Sequence, residues 1–192
     1  FALTTHAQYT YNSLTGTGQD GYGYMDGVSG SGVDVFLAST APVDEGLSSA
    51  QTIPFTWEFF GNSVTSYKVS DNGYITFGSE MQQTPDPASL DVDMISVLGV
   101  DFTYAYRIEY DTNAERTVVH WRETRIPQYN TYDYVQLVLY ADGRIYLNYG
   151  DVDYRTAQFK QPYIGLKSTS SLTTTRHGIE ALQAPVNFGT ST

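Results

Sequence analysis

The stretch SDNGYITFGS (70–79) sets an Asx-Gly pair between two apolar alternations. Gly, and Asn or Asp less easily, tolerate positive φ, so this dipeptide favours a tight hairpin. A two-residue loop at Asn72-Gly73 would pair Val69 with Thr76 and mix apolar with polar on one face. A three-residue loop, Asp71-Asn72-Gly73, pairs Val69 with Ile75 and Tyr67 with Phe77, leaving Ser66, Lys68, Ser70 and Thr76 on the other face. The figure recurs in LYADGRIYLNYG (139–150). With Ala141-Asp142-Gly143 as its loop, Leu139 faces Ile145, Leu137 faces Leu147 and Val135 faces Tyr149. A slip of one residue would turn every side chain to the opposite face, so the shared apolar face selects the three-residue loop in both hairpins. The pattern predicts positive φ at Gly73 and Gly143, with one buried and one wet face on each hairpin.

Working outward, residues 1–11 alternate, with Phe1, Leu3, Ala7, Tyr9 and Tyr11 on the apolar side, as a half-buried strand does. TGTGQDGYGYMDGVSGSG (15–32) is a Gly-rich loop. Further strands are expected near 33–38, 53–60, 64–70, 73–78, 94–103, 105–111, 116–124, 133–140, 144–150 and 162–168. Residues 80–93 hold two prolines and form a connection, and SSLTTT (170–175) reads as a loop. The tail alternates again over 179–190, where Pro185 suits an edge strand. No segment sustains helical periodicity, and no repeat or linker divides the chain. The expectation is one all-β domain over 1–192, an antiparallel β-sandwich of jelly-roll type with about ten strands.

Composition narrows the function. Aromatics make up 15% of the 192 residues, with 17 Tyr against 3 Met, which is a β-rich usage. A net charge of −11 argues against electrostatic binding to nucleic acid or anionic membrane. There is no Cys, so disulfides, Cys-ligated metals and thiol chemistry are excluded. No apolar run reaches the length of a membrane span. The chain starts at Phe1 rather than Met, as after removal of an export signal.

PFTWEFFGNSVTSYKVSDNGYITFGS (54–79) resembles the N-G hairpin block of secreted bacterial β-sandwich domains of the Bacteroidetes surface type. ISVLGVDFTYAYRIEYDTNAERTVVHWRETRIP, YVQLVLYADGRIYLNYGDV and YIGLKS (163–168) match the later strands of that family, and nidogen-type extracellular domains share the outline. The family has an F-W-D-D segment where this chain has LGVDF, so Asp101 alone is retained. The resemblance covers roughly 50–170 and implies an extracellular, non-catalytic module in adhesion, matrix or surface assembly.

Candidate chemistry is sparse. His6, His120 and His177 lie in separate segments without ligand spacing, and His120 is expected to face outward beside Trp121. No nucleophile turn of the G-x-S-x-G kind occurs. Glu58, Asp101, Glu109 and Glu123 lie in predicted strands, but no spacing singles out a glycosidase pair. Calcium has better candidates in Asp91 and Asp93, in Asp151 and Asp153, and in the loop from Asp20 to Asp26, which offer hard oxygen ligands in turns. Tyr22 and Tyr24, with Tyr129, Tyr132 and Tyr134, offer rigid amphipathic contact area to a partner or a glycan.

The functional expectation is a secreted structural protein of a cell-surface or extracellular assembly, self-associating or binding other surface proteins. One route to a filament is donation of the strand within 1–14 to a neighbour, with Phe1, Leu3, Ala7, Tyr9 and Tyr11 as plugs. The alternative is a carbohydrate-binding or adhesion module that uses loop tyrosines and calcium. A glycoside hydrolase comes third.

Overall fold

Both hairpins form in the register that the apolar pattern selects. The computed structural model describes residues 8–13, 33–34, 44–78, 92–102, 104–105, 107–125, 133–149, 163–168, 171–175 and 186–191. Val69 pairs with Ile75 and Ser70 with Tyr74, which leaves Asp71, Asn72 and Gly73 as the loop. Leu139 pairs with Ile145, Leu137 with Leu147 and Val135 with Tyr149. Gly73 has φ 75° and Gly143 φ 90°, the left-handed conformation that Gly adopts without strain.

The described residues are all-β, in two antiparallel sheets. In chain order the strands are β1 (Gln8–Ser13), β2 (Val33–Asp34), β3 (Gln51–Phe59), β4 (Asn62–Ser70) and β5 (Tyr74–Thr76). Then come β6 (Met94–Gly99), β7 (Tyr104–Ala105), β8 (Ile108–Thr112), β9 (Arg116–Arg125) and β10 (Asp133–Tyr140). The last four are β11 (Ile145–Tyr149), β12 (Tyr163–Ser168), β13 (Ser171–Thr175) and β14 (Val186–Ser191). The larger sheet runs β1-β14-β11-β10-β9-β8-β2, with β7 also paired to β9. The smaller runs β13-β12-β6-β5-β4-β3. The strands expected near 33–38 and 73–78 form as the short β2 and β5, whereas β7 and β13 were not expected, β7 because two residues are too few to show an alternation.

The core lies between the sheets. Trp57, Phe59, Tyr67, Val69, Ile75, Ile95 and Val97 of the smaller sheet pack in one apolar cluster with Val119, Trp121, Leu137, Leu147 and Tyr149 of the larger. Hydrogen bonds between described residues cross this core. Trp121 Nε1 donates to the Ser70 carbonyl at 2.7 Å, and the Tyr149 hydroxyl donates to the Val97 carbonyl at 2.7 Å. A buried aromatic thus keeps its polar tip satisfied by reaching the opposite sheet.

Several expectations need correction. The face opposite the core is wet only in part: Ser66 is exposed and Lys68 half-buried, but Ser70 and Thr76 are buried on the first hairpin, and Gln136, Val138 and Asn148 on the second. Alternation reports the inner face but not what covers the outer one. SSLTTT is largely strand, since Ser171–Thr175 pairs antiparallel with β12. Its threonines suit extended backbone, yet it lacks the apolar alternation that would announce a strand. The tail strand is not at an edge, because β14 pairs with β1 on one side and β11 on the other. Pro185 lies outside the described residues.

Candidate functional site

The loop Asp71-Asn72-Gly73 is buried rather than exposed at a hairpin tip. Two segments close over it. The Gly46 amide donates to Asp71 Oδ1 at 3.0 Å, and the Asp71 amide donates to the Gly46 carbonyl at 3.2 Å. Ser48 continues the contact, its amide donating to the Val69 carbonyl at 2.8 Å. On the other side the Phe102 amide donates to Asn72 Oδ1 at 2.9 Å, while the Val97 and Leu98 amides both donate to the Gly73 carbonyl. A hairpin loop is thereby the junction of residues 44–48 and 97–102.

This junction concentrates negative charge. One carboxylate oxygen from each of Asp44, Glu45 and Asp101 lies within 4.8 Å of the others; Asp44 is exposed, Glu45 and Asp101 half-buried. Glu45 holds φ 60°, a conformation uncommon for a residue with a Cβ. Asp71 adjoins them with 0% of its surface exposed. Its Oδ1 accepts from Gly46 and Ser70 Oγ, whereas Oδ2 is buried with no hydrogen bond among the described residues. Burial chiefly, with the charges of Glu45 and Asp44 adding, pushes the Asp71 carboxyl up to about 7. The arrangement offers hard oxygen donors.

A second polar constellation crosses the outer face of the larger sheet. Glu109 pairs with His120, His120 with Gln136, and Gln136 with Asn148, so one row spans β8 to β11. All four are buried. Asn148 Nδ2 donates to Gln136 Oε1 at 3.0 Å. Arg107 Nε donates to Glu109 Oε1 at 2.6 Å, and Arg122 lies 3.6 Å from Oε2. Among the described residues neither ring nitrogen of His120 has a hydrogen-bond partner. Burial, with Arg122 and then Arg107 adding, lowers its pKa to about 4, so the imidazole is neutral near pH 7. The row holds a neutral imidazole beside a carboxylate engaged by two arginines.

Tyr9 and Tyr11 lie in β1, in register with Thr190 and Phe188 of β14, while Phe1, Leu3 and Ala7 fall outside the described residues. Tyr134 is half-buried in β10; Tyr22, Tyr24, Tyr129 and Tyr132 fall outside. Of the calcium candidates Asp93 alone is described, and its carbonyl accepts from the Phe77 amide at 3.0 Å. Asp91, Asp151, Asp153 and the Asp20–Asp26 loop lie outside. Glu58 is exposed on β3 while Glu109 is buried on the outer face of the other sheet, so the sandwich stands between them. His120 does project from the outer face, but is buried there rather than exposed. The junction of Asp44, Glu45, Asp71 and Asp101 has no sequence signature, because its members come from three distant segments. Its only local signs are the acids of VDEG (43–46) and the retained Asp101.

The fold defines an all-β sandwich of two antiparallel sheets. The family described as NIDO related matches residues 5–190, and the chain belongs to that family. No curated protein and no solved structure matches the chain. Among the described residues no helix is long and apolar enough to cross a membrane.

Proposed function

We propose that this chain is a secreted, non-catalytic structural module of a bacterial extracellular or cell-surface assembly, joined to its neighbours through its terminal strand. The observation that carries the reading is the position of β1. Among the described residues it closes one end of the larger sheet and pairs with β14 alone. A terminal strand presents unpaired N–H and C=O groups to any strand that can add to it. The β1–β14 ladder can equally be completed by the first strand of a neighbouring copy, with the same register and the same main-chain hydrogen bonds. Head-to-tail exchange of this kind grows into a filament unless its rotation closes a ring. The NIDO-related match supports an extracellular setting, and self-association or binding of other surface proteins follows from the reading.

The test is to delete residues 1–12 and examine the native and truncated proteins by negative-stain microscopy and light scattering. A truncated protein that stays folded but monomeric, beside a native protein that polymerises, is the expected result. Unchanged assembly after truncation would sink the proposal.

A further inference from the structure

We propose that Asp44, Glu45 and Asp101 bind a calcium ion, backed by the buried carboxylate of Asp71. Three carboxylates within 4.8 Å of one another fall inside a calcium coordination sphere, whose diameter is about twice the roughly 2.4 Å Ca–O distance. They supply only hard oxygen, which selects calcium or magnesium over zinc or copper. Magnesium demands a near-ideal small octahedron, whereas calcium accepts irregular sets and completes them with water. Exposed Asp44 beside half-buried Glu45 and Asp101 leaves a side open for such waters.

An acidic cluster alone would say little, and Asp71 is what gives it direction. A carboxylate with no exposed surface normally has both oxygens satisfied. Here Oδ1 accepts from the Gly46 amide, next in the chain to Glu45, and among the described residues Oδ2 has no partner. A divalent cation on the triad would offset the concentration of negative charge there. The frame is also fixed before any ion arrives. Asp71 holds residue 46 by two hydrogen bonds, one to its side-chain Oδ1 and one from its amide, and Asn72 Oδ1 holds the amide of residue 102 by a third. The ligands therefore come from two segments pinned to one rigid loop, which limits the ordering cost of binding. This inference does not rest on the assembly reading above.

The protein is stripped with EGTA, then titrated with CaCl2 by isothermal calorimetry and melted with CaCl2, MgCl2 or NaCl at matched ionic strength. Expected are one saturable calcium site and a rise in Tm that equal magnesium does not reproduce, as binding to the folded state alone requires. The double variant Asp44→Asn/Asp101→Asn should lose at least about tenfold in calcium affinity, by removal of two charged ligands. Its Tm in EGTA should match or exceed that of the native protein, because two repelling charges are gone; this separates lost binding from lost folding. Glu115→Gln, an exposed acid outside the cluster, should bind as the native protein does. Absence of saturable calcium binding would overturn the proposal. So would calcium binding that the double variant retains in full, which would locate the ion at other acids.

Discussion

The Phe102 amide donates to the Asn72 side-chain oxygen at 2.9 Å, and both residues are fully buried. This bond ties the segment after β6 to the loop between β4 and β5. Asn72→Ala removes the acceptor and leaves the amide only the Val100 carbonyl at 3.0 Å, two residues back. A buried donor deprived of a good partner costs about 1–3 kcal/mol. Urea unfolding should show that loss in the midpoint with an unchanged slope.

The two turn glycines should respond differently to the same substitution. At Gly73 an added Cβ would lie 2.2 Å from the Leu98 carbonyl oxygen and 3.3 Å from the Phe102 ring. That oxygen belongs to backbone held in β6, so it cannot move aside cheaply. Gly73→Ala should cost more than about 4 kcal/mol or abolish cooperative unfolding. Gly143 is half-buried, between exposed Asp142 and Arg144. Gly143→Ala should cost only the strain of positive φ, about 1–2 kcal/mol. Equal losses in Tm would contradict the burial of the first loop.

The cross-sheet bonds can be isolated with Tyr149→Phe, which keeps the ring and deletes the hydroxyl that reaches the Val97 carbonyl. About 1 kcal/mol should be lost, the net worth of one buried hydrogen bond. Trp121→Phe deletes the bond to Ser70 and also leaves a gap in a fully buried site, so it should cost roughly 3 kcal/mol or more. The order of the two losses in denaturant unfolding is the check.

Strand register was legible in the sequence wherever a turn signal and a period-two pattern agreed, as at Val69 with Ile75 and Leu137 with Leu147. Burial of the loop between them was not. Asp71, Asn72 and Gly73 read locally as a surface turn, and among the described residues 44–48 and 97–102 cover them. The polar row shows the same limit. Glu109, His120, Gln136 and Asn148 each occupy a position that alternation assigns to solvent, and their alignment depends on four strands at once. The Thr-rich β13 was missed because a strand of polar residues carries no apolar signal. Local pattern fixes which side chains share a face, while long-range pairing decides whether that face is wet.

His120 gives the folding equilibrium a pH signature. Its pKa is lowered to about 4 in the folded protein against 6.5 for the free side chain, by burial and then by Arg122 and Arg107. Between those values the unfolded chain binds the proton and the folded chain does not, so this group's contribution to stability rises with pH. It is fully present above about pH 6.5 and is lost as pH falls towards 4. Asp71 acts in the opposite sense. Its carboxyl is raised from 3.8 to about 7, so the folded chain holds a proton that the unfolded chain releases, and stability falls as pH rises through that window. The native profile should therefore be shallow between about pH 4 and 6.5, because one proton taken up by each state nearly cancels. His120→Gln removes one of the opposing groups. The variant should lose stability steadily from pH 4 to 7, with a limiting slope of about 1.4 kcal/mol per pH unit. Urea midpoints of both proteins from pH 4 to 8 give the difference directly. That difference should climb with pH up to about 6.5 and then level off. A difference that is flat from pH 4 to 6.5 would mean that the ring is reached by water and titrates normally.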